Sequence, residues 1–373
     1  MVKQVFLFDS IKQNIMLSLK SYFILFLLVS TLTSCGIDPL AWSPPLKPKF
    51  EGTYALNNRL LNVNNIPLQG YYGAEEFVVD STGVIYCGVH KGPKDYSSGA
   101  ILKIYPDNRV ETYLKTDAWV TGMQFDKSGN LIALLNNVGL IQVNPDKSID
   151  TLLTHTPDEK PLLMGTGLKI GKDGKIYFIN TSGQEASSSK YISKLILEMK
   201  PTGGIYVYDP VTQSSEILST GNYFGNGLLL SQNEDFLLVS ETSRYRLLRY
   251  WLKGPKKGSS EVFMDNLPGF PNNISRSTSG NFWLDFTTKR NDQLDEIHPK
   301  IGMKKFVYNL PEFVQPKAEK FGMVFEISEQ GKIVQTLFDS TGEHVSEAGS
   351  ILEHNGYLYL GGDIVEAVSK VKL

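Results

Sequence analysis

Phe77-Val78-Val79-Asp80-Ser81-Thr82-Gly83-Val84-Ile85-Tyr86 decides the fold. Two β-rich runs flank a short polar turn, in which Gly83 can supply the positive φ that a tight antiparallel connection needs. The phrase recurs as Phe125-Asp126-Lys127-Ser128-Gly129-Asn130-Leu131-Ile132 and as Ile170-Gly171-Lys172-Asp173-Gly174-Lys175-Ile176-Tyr177. Three further copies turn at Glu234, Gly280 and Gly356. Successive turn positions lie 46, 45, 60, 46 and 76 residues apart. A period in the forties is the length of four short strands with their turns. The pattern therefore predicts an all-β fold, a six-bladed β-propeller of four-stranded blades around a central channel, over residues 50–373.

The two long intervals contain insertions. Between Gln184 and Lys200, the residues Tyr191, Lys194, Leu195 and Glu198 fall at i, i+3, i+4 and i+7, which predicts a short helix near residues 190–200 that Pro201 bounds. The stretch from Lys289 to Pro316 is polar at first and interrupted by Pro299, Pro311 and Pro316. Both are candidate lids over a loop-rich face, with surface decoration as the alternative.

Composition narrows the function. Of 373 residues, 37 are Lys or Arg and 39 are Asp or Glu, so no global basic field is available to hold nucleic acid. The hydrophobic share of 41% with 20% charged residues fits a globular core rather than a disordered or multi-span membrane chain, and a monomer is expected. The five histidines (90, 155, 298, 344 and 354) lack the spacing of a zinc site. Cys35 and Cys87 are the only cysteines, too few for a disulfide framework, and Cys87 on a predicted strand reads as a small core residue. Neither a Gly-rich phosphate loop nor a Gly-x-Ser-x-Gly elbow is present.

The first fifty residues read as a targeting segment. Lys20 precedes an apolar run from Tyr22 to Val29, and the stretch up to Ser34 is too short to cross a bilayer as a helix, so residues 1–34 are expected to be a signal peptide. Leu32-Thr33-Ser34-Cys35 resembles the bacterial lipobox, which implies lipidation of Cys35 and a protein anchored in a bacterial cell envelope. A secreted protein with an ordinary leader is the alternative. Pro39, Pro44, Pro45 and Pro48 make residues 35–49 an expected extended tether with no packed structure of its own.

The repeat also points to a site. The residues eight places before each turn position are Glu75, Thr121, Thr166, Asn226, Asn272 and Ala348, each at the expected start of an innermost strand. Five of the six carry side-chain oxygen, so their convergence would suit a hard cation or a polar ligand. The plainer reading is that they hydrogen-bond one another and trapped water. Glu75 is the only carboxylate of this ring; Glu76 and Glu347 are expected to be turned aside by strand alternation, so calcium would be weakly held.

Leu248-Arg249-Tyr250-Trp251-Leu252-Lys253-Gly254-Pro255 and Asp265-Asn266-Leu267-Pro268-Gly269-Phe270-Pro271-Asn272-Asn273-Ile274 resemble the strictosidine synthase-like family. That family includes the adipocyte plasma membrane-associated protein and is related to gluconolactonases and paraoxonases. The resemblance implies a six-bladed propeller and, by its lactonase relatives, a divalent cation, often calcium, on a Glu, Asn and Asp set. By motif Glu75 stands for the Glu and Asn226 for the Asn, while Asn272 occupies the usual place of the Asp. An amide cannot take a proton near neutral pH, so that departure removes one charge and one general base. Thr166 replaces another common Asn, and with Thr121 it is expected to face substrate. The alkaloid-forming activity depends on a late glutamate for which Glu347 is the nearby candidate, and nothing in this sequence implies its substrates. The resulting expectation is a cation-assisted hydrolase of a small lactone or carboxylic ester. Glu75, Asn226 and Asn272 would be ligands, with Glu75 and Asn272 at the reacting centre. The alternative is a non-catalytic propeller that binds a small ligand or an envelope protein.

Overall fold

The computed structural model describes residues 36–184 and 188–373. The expected signal peptide and the expected lipidation of Cys35 lie outside the described residues. Within them the chain forms six four-stranded antiparallel sheets. The innermost strands are Phe77–Val79, Val120–Phe125, Met164–Ile170, Gly225–Leu230, Gly269–Arg276 and Ser350–His354. They touch one another in ring order, and Phe77–Val79 meets both its successor and Ser350–His354, which closes the circle. The six-bladed propeller expected from the turn spacing is the observed fold.

Each turn position from which the repeat was read has positive φ, between 56° at Glu234 and 88° at Gly174 and Gly280. The sixth blade is assembled from both ends of the propeller segment: Val63–Pro67 pairs with Ala367–Lys372 and supplies the outermost strand. Apolar side chains pack between neighbouring blades, as where Ile179 and Ile205 of the third blade meet Leu228 and Val239 of the fourth. Such clusters recur around the ring, so the core is a set of wedges between sheets. At the final seam a Cβ on Gly361 would lie 1.9 Å from the Ala74 carbonyl oxygen, so the last and first blades approach closely only because this residue is glycine.

Three helices stand on the face where the innermost strands begin. Helix α1 (Ser189–Glu198) is the predicted one; it buries Tyr191 and Leu195 and ends at Met199, whose φ is 52°. The second insertion was read as proline-broken polar chain, but it folds as α2 (Asp292–Ile297) and α3 (Ile301–Asn309). Asn291 caps α2 by accepting the Leu294 N–H at 3.0 Å, and Pro299 separates the two helices.

Residues 36–50 correct another expectation. They lack regular structure, yet they are strapped across these helices instead of hanging free. Leu40 N–H donates to the Glu198 carbonyl at 2.8 Å and Trp42 N–H to the His298 carbonyl at 3.1 Å. Lys304 Nζ donates to the Leu40 carbonyl at 2.7 Å, and Arg290 donates to that of Pro45 at 2.8 Å. The Trp42 ring lies 5.6 Å from Tyr245 and 5.3 Å from His298, with the Arg244 guanidinium at 4.8 Å. Backbone bonds and one aromatic anchor hold the strap, which is why apolar periodicity gave no sign of it.

Candidate functional site at the channel mouth

The residues eight before each turn lie within three residues of the starts of the innermost strands, but they divide into two uses. Thr121 Oγ1 donates to the Gly165 carbonyl at 2.5 Å, and Thr166 Oγ1 donates to that of Gly225 at 3.1 Å. Ser350 Oγ closes the same circuit by donating to the Ala74 carbonyl at 2.5 Å. These hydroxyls clasp one blade to the backbone of the next. Thr121 and Thr166, expected to face substrate, are buried in that seam and stand outside the cavity wall described next.

A cavity of about 340 Å³ opens at the helical face. Its floor holds Asn226, Asn272, Tyr96, Glu347 and Asp363. Its side wall is apolar, built from Ile192 and Ile196 of α1, Leu294 and Ile297 of α2, and Val307 of α3. The two insertions thus line the mouth as the lid reading required. Asn272 is 2% exposed, and its Nδ2 donates to the Gly349 carbonyl at 3.0 Å. Its Oδ1 has no hydrogen-bond partner, and neither has Glu75 Oε2. Buried oxygens left unpaired are costly, so they mark where a ligand would be stabilised most.

Carboxylates crowd on and behind this floor: Glu347 and Asp363 line it, while Glu75 and Asp285 are buried outside its lining. Glu75 shares a hydrogen bond with Asp363. Burial, followed by the charges of Asp363 and Asp285, pushes the Glu75 carboxyl well above the usual range. Burial acts in the same direction on Glu347, with Asp363 as the next cause, and also on Asp363 itself. Asp285 is fully buried and raised by desolvation, although its Oδ1 accepts the Asn273 N–H at 2.7 Å. Glu75 is therefore not the only carboxylate. The expectation that Glu347 turns aside is overturned, because Glu347 precedes the strand and lines the cavity. Glu76 does turn aside, into an ion pair with Lys169 at 3.0 Å. Among the described residues no three His, Cys, Asp or Glu side chains form a ready-made metal cage. A cation at this floor would need the two asparagine amides to complete its shell.

The sequence matches the strictosidine synthase family over residues 166–255 and the strictosidine synthase-like N-terminal family over residues 52–93. It is 30% identical to the adipocyte plasma membrane-associated protein of Rattus norvegicus over 353 residues, covering 88% of this chain and 91% of that one. The chain belongs to the strictosidine synthase-like family. A strictosidine synthase-like 13 protein of Arabidopsis thaliana is 32% identical over 240 residues, covering 63% of this chain and 59% of that one. Among solved structures, a gluconolactonase from Xanthomonas campestris superposes with a TM-score of 0.58 at 15% identity, covering 90% of this strictosidine synthase-like chain and 97% of its own. The calcium-binding protein regucalcin from Agrobacterium tumefaciens superposes with 0.54 at 11% identity, covering 82% and 92%. At such identities these two show the shared propeller. The sequence relatives named here are animal and plant proteins, so the bacterial-envelope reading rests on Leu32-Thr33-Ser34-Cys35 alone.

Proposed function

We propose that the cavity is the active site of a cation-assisted hydrolase that opens small lactones or carboxylic esters. The observation that carries this reading is a pair of unpartnered buried oxygens, Asn272 Oδ1 in the cavity floor and Glu75 Oε2 behind it, where Glu75 meets the lining residue Asp363. Hard oxygen donors with excess negative charge fit a divalent cation such as calcium, with Glu75, Asn226 and Asn272 as its protein ligands and waters completing the shell. When bound, the cation would polarise the substrate carbonyl.

The chain's own groups supply the rest. The apolar wall from α1, α2 and α3 would hold the organic part of the substrate and exclude bulk water. Asn272 cannot serve as a base, but Glu347 and Asp363 stand on the same floor. Burial raises both toward the range in which a carboxylate exchanges protons near neutral pH. Asp363, the ionised member of its hydrogen-bonded pair with Glu75, would take the proton from the attacking water and return it to the alkoxide leaving group.

The test is hydrolysis of an aliphatic lactone and an aryl ester by the full chain, with and without calcium. Calcium-dependent turnover that Glu75→Gln abolishes is the expected result. If neither substrate class turns over while calcium still binds, the propeller is a ligand-binding module and the hydrolase reading falls.

A further inference from the structure

The rim of the cavity carries apolar side chains that the fold leaves uncovered. Ile301 and Met303 on α3 are exposed, Phe313 and Val314 follow in the segment beyond it, and the exposed Ile364 lines the cavity from the last blade. Phe313 is 78% exposed, unusual among the described residues, whose other phenylalanines are buried or half-buried. Cationic groups surround these residues. Residues 299–320 contain five lysines against two glutamates, in a chain whose net charge is −2. The glutamates are already engaged, Glu312 with Lys94 and Glu319 with Lys289. Lys300, Lys305, Lys317 and Lys320 are exposed around the apolar tip, and Lys317 and Lys320 also edge the cavity.

The chain outside the described residues points to what covers this rim. Residues 1–35, with the apolar run from Tyr22 to Val29, join the fold at Gly36. A Cβ there would touch the Tyr308 ring of α3 at 2.8 Å, one residue from the cavity-lining Val307. The apolar N-terminal stretch of the sequence therefore joins the fold beside α3, where Ile301 and Met303 are exposed. An aromatic and aliphatic tip ringed by lysines is the pattern that inserts shallowly into an interface and draws anionic headgroups.

We propose that this rim is a docking surface for an anionic phospholipid bilayer, so that the cavity opens into the headgroup layer. The lipid expected on Cys35 would keep the propeller near the membrane; Phe313 and its neighbours fix which face meets it. Substrates would reach the floor from the lipid interface, which suits amphiphiles better than freely soluble molecules.

The experiment uses the full chain with Phe313→Trp, mixed with phosphatidylglycerol-containing vesicles that carry brominated acyl chains, and the wild-type emission is subtracted. Val211→Trp is the control. Val211 is 87% exposed in the turn after Asp209, which pairs with Lys175 beside the Gly174 turn, on the face opposite the helices. The tryptophan at 313 should lose most of its emission and the one at 211 should not. Neutral vesicles, or Lys317→Glu with Lys320→Glu in the same chain, should weaken the quenching. Equal emission loss at the two positions overturns the proposal. So does an unquenched position 313 on vesicles that carry the protein, which would assign the rim to a protein partner. Both tryptophan positions are on the surface, and a melt that matches wild type checks that the fold is kept.

Discussion

Asn272→Asp tests the floor of the cavity more sharply than truncation would. The native amide is 2% exposed; it donates to the Gly349 carbonyl and leaves Oδ1 unpaired. A protonated aspartic acid has the same shape and can donate to Gly349 in the same way, so the neutral variant should fold as wild type does. An ionised one cannot donate, and it adds charge beside Glu347 and Asp363. If burial and those neighbours raise its pKa by about two units above the unfolded value near 3.9, the variant loses about 2.7 kcal/mol at neutral pH. An acid whose folded pKa is raised leaves stability intact below the unfolded value and removes it as pH rises through the folded value. The deficit should therefore be full at pH 8 and fade toward about pH 4. At about 2 °C per kcal/mol, the low end of the range for domains of this size, the melting point should fall by about 5 °C. Calcium at about 100 times its Kd restores about 2.7 kcal/mol, so the metal should bring the variant back to the wild-type melting point or above it. The assay is a set of thermal melts across pH, with and without calcium. A variant that melts with wild type at pH 8 without metal, and gains no more from calcium than wild type does, refutes the placement of Asn272 in a carboxylate-rich cation site.

The other predictions concern the supports of the site. Thr121→Val leaves the buried Gly165 carbonyl without its donor and should cost about 1–3 kcal/mol in chemical denaturation. Turnover per folded molecule should be unchanged; a fall in turnover at equal stability would return Thr121 to the substrate. Trp42→Ala removes the half-buried anchor of the strap and should cost about 2 kcal/mol, less than a fully buried indole, while raising protease sensitivity within residues 36–50. A strap that stays protected would show that its backbone bonds suffice. Burial, followed by the charge of Arg244, pushes the Lys304 amine down to about 8. The unfolded chain then holds a proton that the folded one has released, so stability should rise between pH 8 and about 10.4. Lys304→Met should flatten that slope, and an unaltered slope would show that Lys304 is not its source.

The turns were legible because a tight hairpin demands residues that accept positive φ, and six of them at blade-length intervals leave little choice of fold. Helix α1 was legible through Tyr191 and Leu195 at helical spacing. Helices α2 and α3 were not, because α2 is six residues long and capped by Asn291, and Pro299, Pro311 and Pro316 dominated the reading. At the site, position in the repeat correctly located the starts of the innermost strands. It could not tell a side chain facing the axis from one facing the next blade, which is why Thr121 and Thr166 were given to substrate. Glu347 was discounted by applying strand alternation to a residue that lies ahead of its strand. Asp363 follows Gly361 and Gly362 in an irregular connection, where no periodicity could announce it.

The outermost strand of the sixth blade has a consequence for biosynthesis. Val63 finds Val371 some three hundred residues later, so the ring has no partner for its first strand until the last strand of the propeller has been made. Five blades can order as they emerge from the ribosome, but the circle is sealed only once Ala367–Lys372 has emerged, and the entropy of closing so long a loop is met at that last step. A nascent chain of this kind carries an unpaired edge throughout its synthesis, and a chaperone that shields Val63–Pro67 would protect the whole wheel.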